Sequence, residues 1–193
     1  MSKRLESALD SIEAGLVRLG LGRTLDLLAT GVNSRAFWAG LEGISPSNLR
    51  SLIEVYSWHD GTVDTVGLYI GECYIFPGFY MLSTSEVAVT YRQLLQAGLW
   101  DPNLVPFMAD GGGDFIVIDS VGCSEGSVRH FRNGETDAPV EYSNVESMFL
   151  TFAEAYDQGA FVVDSDGFLD LDLAMYSIIA NRLNPGVAWW GQG

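Results

Sequence analysis

Ala109-Asp110-Gly111-Gly112-Gly113-Asp114-Phe115-Ile116-Val117-Ile118-Asp119 is the stretch that decides the fold. Three successive glycines can take the left-handed backbone angles of a tight reversal, and the bulky apolar run behind them reads as a buried strand. Upstream, Trp100-Asp101-Pro102-Asn103-Leu104-Val105-Pro106-Phe107 supplies the opposing arm, with its strand from about Leu104 to Met108, so the glycines occupy a hairpin tip. Val128 to Phe131 is a third strand, reached through the Asp119 to Ser127 loop, and the three form an antiparallel meander. The turn is no phosphate loop, because no Gly-Lys-Ser/Thr follows and the flanking carboxylates would repel an anion. Asp110 and Asp114 are expected to face solvent or an incoming cation.

Helical signals surround this hairpin. Leu5, Leu9, Ile12, Leu16 and Leu19 recur at spacings of four and three, which predicts an amphipathic helix ending near Gly20 or Gly22, then a short helical stretch around Thr24 to Leu28. Ser45-Pro46 is a helix start, and Leu49, Leu52, Ile53 and Tyr56 form the buried face of a helix running into Trp58, itself expected in the core. From Val63 to Leu82, glycines and Pro77 break the chain into strands or extended loops. Ser83-Thr84-Ser85-Glu86 and Ser143-Asn144-Val145-Glu146 both read as capping boxes opening helices that stop at Gly98 and Gly159. Phe161 to Val163 is a candidate edge strand, and a last helix is expected over Asp170 to Leu183 with acids in its first turn.

Composition narrows the functional classes. With 193 residues, 48% of them hydrophobic, the chain fits one domain with a substantial core. The formal net charge of −15 is uneven: residues 1 to 50 carry six basic and five acidic side chains, whereas residues 51 to 193 carry four arginines against twenty carboxylates. Such a surface repels nucleic-acid backbones and anionic lipid and attracts a basic protein, so a single anionic face is expected. The N-terminal residues lack the apolar stretch of an export signal, and a cytoplasmic protein is the expectation. Cys73 and Cys123 lack metal or redox spacing, and His59 and His130 stand apart from any nucleophile motif, so all four are read as structural. Asp164-Ser165-Asp166-Gly167 resembles part of a calcium loop. Its frame puts Val162 first and Leu173 twelfth, where acids are required, and it reads instead as a solvated turn.

The ordered series of a helix, Trp58-His59-Asp60-Gly61, strands with Pro77, a capped helix, Trp100-x-Pro102, the Asp-Gly-Gly-Gly-Asp turn, Gly126-x-Val128 and a second capped helix resembles the SUKH superfamily. That group contains fungal cell-wall assembly regulators of the Smi and Knr type and many bacterial immunity proteins. The resemblance covers about residues 45 to 163. It implies an α+β fold, a mostly antiparallel sheet with helices packed on one side; the single domain is expected over 45–193, and the leucine stripe makes residues 1–44 a helical segment packed on it. It also implies a binding module without catalysis, cofactor or metal: most plainly an immunity protein that neutralises a basic toxin domain, such as a nuclease, by direct contact. A regulatory scaffold of the fungal type is the alternative, and a metal-assisted hydrolase using Asp110, Asp114 and Asp119 a remote one. Asp60, Asp64, Asp110 and Asp114, by their places in loops beside the motifs, are the candidate partner contacts.

Overall fold

The Asp110–Asp114 turn joins strands β4 (Leu104–Ala109) and β5 (Phe115–Asp119), paired antiparallel from Ala109 against Phe115 to Leu104 against Asp119. Gly111 and Gly113 take φ of 83° and 112°, values that cost little only without a Cβ. The computed structural model describes residues 1–38, 49–63, 66–98, 100–121 and 126–191. Around the hairpin, β3 (Tyr80–Met81), β6 (Val128–Phe131) and β7 (Val140–Tyr142) complete a five-stranded antiparallel sheet in the order β3-β4-β5-β6-β7. The expected meander is therefore its centre, with one further strand on each side.

Strand alternation divides the sheet into two faces. Met81, Met108, Ile116 and His130 are register partners across four strands on the inner face, as are Val105, Ile118, Val128 and Tyr142. The inner face meets the helices through Tyr142, whose ring sits edge-on to Phe152 of α6 (Val145–Gln158) at 6.0 Å. Tyr80, Ala109, Phe115 and Phe131 form the corresponding outer row.

Helix α1 (Lys3–Arg18) lies against α6, with Leu5, Leu9, Ile12 and Leu16 all buried in the same hydrophobic cluster as Phe149, Phe152 and Ile118. Arg18 fixes the far end by donating to the Tyr156 carbonyl at 3.0 Å. After α2 (Gly22–Asp26), β1 (Leu28–Thr30) and α3 (Ser34–Trp38), helix α4 (Arg50–Trp58) leads into β2 (His59–Thr62), which pairs with β1. The expected start at Ser45-Pro46 falls outside the described residues. Trp58 is half-buried, packs on the core and donates from Nε1 to Glu13 of α1 at 2.6 Å. Helix α5 (Thr84–Gln96) opens on the predicted capping box, Ser83 with Glu86.

The second predicted box differs. Asn144, one residue after the expected serine, caps α6 by accepting from the Ser147 amide at 2.8 Å. The Ser143 amide is held by Asn184 Oδ1, 3.2 Å away, and Glu146 turns to α1, where it accepts from the Ser2 hydroxyl at 3.0 Å. The last helix also differs, because α7 spans Leu173–Leu183 and Asp172 is its cap. Asp164 Oδ1 accepts from the Asp166 and Phe168 amides, both at 2.9 Å. That closed turn folds β9 (Leu169–Leu171) back on β8 (Phe161–Val163) before the helix can begin.

Candidate functional site

The outer face of the sheet carries the most distinctive surface. Trp100 lies over it, its ring 4.7 Å from Phe131 and 5.9 Å from Phe115, with Nε1 donating to the Leu104 carbonyl at 2.6 Å. The turn that delivers Trp100 is locked by Tyr91 of α5, whose hydroxyl donates to the Pro102 carbonyl at 2.6 Å. The result is an aromatic ridge with a hollow on either side.

One hollow, of about 380 Å³, has Leu104, Phe131 and Ala138 as apolar lining and Asp101, Asp119, Glu135 and Asp137 as acids. Its single cation, Arg129, already donates to Asp119 Oδ2 at 3.1 Å and to the Ala138 carbonyl at 2.9 Å. Four carboxylates thus line the hollow with one guanidinium, which Asp119 and Ala138 hold, while Glu135 also lies 3.4 Å from Arg132 outside the lining. The other hollow, of about 360 Å³, lies between α5 and the glycine turn, floored by Tyr80, Leu82, Leu94, Ala109 and Phe115.

Three of the four carboxylates singled out in the sequence, Asp60, Asp110 and Asp114, bond to main-chain amides of the protein itself. Asp110 is half-buried: its Oδ1 accepts from the amides of Gly112, Gly113 and Asp114 at 2.7, 2.9 and 2.9 Å, so the aspartate builds the turn it begins. A carboxylate at the start of a reversal is placed to collect the amides that the reversal leaves unpaired. Asp114 likewise turns back, accepting from the Asn133 amide at 2.8 Å and pinning the turn to the end of β6. Asp60 accepts from the Thr84 amide at 2.8 Å, at the positive end of the α5 dipole. Asp64 lies outside the described residues. The turn and α5 bring Asp110 and Asp114 beside the second hollow, whose wall includes Gly111 and Gly113, while Asp60 is linked to it through the start of α5.

Asp101, Asp119, Glu135 and Asp137, which line the first hollow, are not grouped by any sequence pattern. Asp119 has a usable signal, since it shares outward parity with Phe115 on β5. The other three come from loops whose convergence is set by tertiary structure. Asp110, Asp114 and Asp119 do not converge: Asp119 is separated from the turn by the length of β5, about 13 Å at strand rise. Among the described residues no group of three or more histidine, cysteine or acidic side chains could hold a metal ion.

The histidines make structural contacts. His59 Nδ1 lies 3.0 Å from the Ala29 carbonyl, and His130 Nδ1 lies 3.1 Å from Glu141. Cys73 is buried, burial pushes its thiol up, and Cys123 lies outside the described residues. Burial also pushes the Tyr80 phenol up, helped by the charges of Glu86, Cys73 and Asp110.

Across the molecule, Arg4, Arg18, Arg23, Arg50, Arg129, Arg132 and Arg182 each sit beside a carboxylate. Seven of the ten basic side chains are thus neutralised locally, and the surplus acids set the field. The acids are not gathered on a single face as expected, because Asp164, Asp166, Asp170 and Asp172 surround the β8–β9 hairpin, whose Phe161 packs against Tyr156 on the helical side. No helix among the described residues is long and apolar enough to cross a membrane.

No curated protein matches the chain. The family model for the SMI1 / KNR4 family (SUKH-1) matches residues 50–154, from the start of α4 through most of α6 and including the whole five-stranded sheet. With more than half of its length in that match, and with the α+β fold and hairpin of that segment in place, the chain belongs to the SMI1 / KNR4 family (SUKH-1).

Proposed function

We propose that this protein is a non-catalytic binding module, an immunity protein that neutralises a basic toxin domain by direct contact inside the cell. The observation that carries the reading is the acidic hollow of Asp101, Asp119, Glu135 and Asp137, whose only cation is already bonded within the protein. Long-range attraction between such a surface and a basic cleft speeds encounter, and the aromatic and apolar groups between the hollows provide area for holding the complex. A nuclease cleft is basic because it binds phosphates, so an acidic plug that fills it blocks substrate without chemistry.

Co-expression with the product of the neighbouring reading frame tests this. Rescue of growth and a complex that survives gel filtration are expected, and Asp137→Lys together with Glu135→Lys should slow association more than tenfold at low salt. A neighbouring product that neither harms cells nor binds would overturn the proposal. Recovery of several host proteins at modest affinity would support a regulatory scaffold instead.

A further inference from the structure

The groove between α5 and the glycine turn differs in chemistry from the acidic hollow. Its floor is apolar, its α5 wall carries Thr90 and Gln93, and Glu86 stands at the end nearest the helix start. No lysine or arginine among the described residues lines it. The opposite wall is Gly111 and Gly113, which bring backbone to the opening without side chains. An anion would need free amides at that wall, as in a phosphate-binding nest. The Gly113 amide of that wall, with those of Gly112 and Asp114 beside it, already donates to Asp110 Oδ1. The negative end of the turn is therefore built in, with Asp110 next to Gly111 of the groove wall, and the second carboxylate is Glu86 of the lining, whose Oε2 also accepts from the Ser83 amide and hydroxyl at 2.7 Å. An anionic occupant would meet the charge of Glu86 with no basic side chain among the described lining residues to offset it, whereas a basic one is matched by it.

We infer that this groove receives a lysine or arginine side chain of the bound protein partner, its alkyl stem lying on Tyr80, Leu94 and Phe115 and its charged head turned towards Glu86 and Asp110. Long basic side chains are suited to such a site because the stem is apolar while the head is solvated or paired. Stacking of the head on Phe115 or Tyr80 adds a cation–π contribution. The inference rests on the protein-binding reading above and names a second anchor point within it, across the aromatic ridge from the acidic hollow.

N-acetyl-arginine methylamide, titrated into the isotopically labelled protein, provides the test, with N-acetyl-norleucine methylamide as the uncharged stem. Saturable amide shifts at Ala109, Gly111, Gly113 and Phe115 are expected with the arginine probe, with binding about two- to fivefold weaker for norleucine, the scale of one exposed ion pair. Thr90→Arg and Gln93→Arg, whose folding is checked by circular dichroism, should each weaken the arginine probe severalfold. Shifts confined to the Asp101, Asp119, Glu135 and Asp137 hollow, equal binding of both probes, or no saturable shift would each overturn the inference. The co-expressed partner separates the two ideas. If the wild-type protein binds it, and Thr90→Arg and Gln93→Arg bind as well while Asp137→Lys does not, the groove assignment fails and the immunity reading stands. If the wild-type protein does not bind it, the immunity reading itself fails.

Discussion

Replacing Asp110 with alanine removes the acceptor that closes the hairpin tip. Three amides point at one oxygen, at 2.7 to 2.9 Å, and a hydrogen bond to a charged acceptor contributes about 1.5 to 3 kcal/mol. The contributions do not add fully, because the three share one oxygen and the turn is open enough at Gly111 and Gly112 for water to replace part of the loss. Loss of a strong helix cap is the nearest physical parallel, and about 2 kcal/mol is the expected cost. For a domain of this size that lowers the melting temperature by about 4 to 8 °C. Asp110→Asn keeps an oxygen in place without the charge and should recover about half. Calorimetric unfolding of the three proteins at neutral pH decides the matter. If Asp110→Ala melted within one degree of the parent, the carboxylate would be a solvent-facing group and the glycines alone would hold the turn.

Other expectations follow from the same packing. Gly61→Ala should cost about 2 to 4 kcal/mol in chemical denaturation, since φ is +69° and a Cβ would lie 2.4 Å from the backbone of Leu82 and Ser83; an unchanged midpoint would contradict this. Asn184→Ala removes the side chain that joins the Ser143 amide to the Thr151 hydroxyl and the Ala180 carbonyl; Thr151 keeps its bond to Ser147 and Ala180 its bond from the residue-184 amide, so a loss of about 1 to 3 kcal/mol, mainly from the Ser143 amide, is expected by urea unfolding. Leu9→Ala should cost about 2 to 5 kcal/mol, because α1, although outside the family match, is core; a loss under 1 kcal/mol would make the helix dispensable. Burial raises the phenols of Tyr56, Tyr142, Tyr156 and Tyr176. The unfolded chain gives up those protons near pH 10 and the folded chain keeps them, so the stability they contribute is whole below about pH 10 and declines above it. Phenolate absorbance from these four should rise only with loss of near-ultraviolet dichroism, and reversible ionisation in the folded protein would refute the burial.

What the sequence reveals is mostly what neighbours in the chain decide. The glycine hairpin, the Ser83 and Glu86 box and the leucine stripe of α1 depend on residues a few positions apart, and each is legible. The Asn144 cap is not, because the choice between Ser143 and Asn144 is made by Asn184, forty-one positions from Ser143. The β8–β9 hairpin is hidden by acids that suit a helix start as well as a turn, and the Asp164 side chain settles which. The role of Asp110 is readable in principle, since aspartate before glycine commonly bonds amides just ahead of it. The outer-face hollows are not, because Phe115 to Ile118 is uniformly apolar and its alternation gives no sign of which side is covered.

Trp190 donates its indole N–H to the Glu141 carbonyl, which shields one border of the sheet, while the other border is a strand of only two residues. Recruitment by adding a foreign strand needs a long free ladder of main-chain groups, and neither border offers one. A protein partner of the proposed kind would therefore be read by side-chain relief, and changes of specificity would then map to loop and surface substitutions and leave strand pairing untouched.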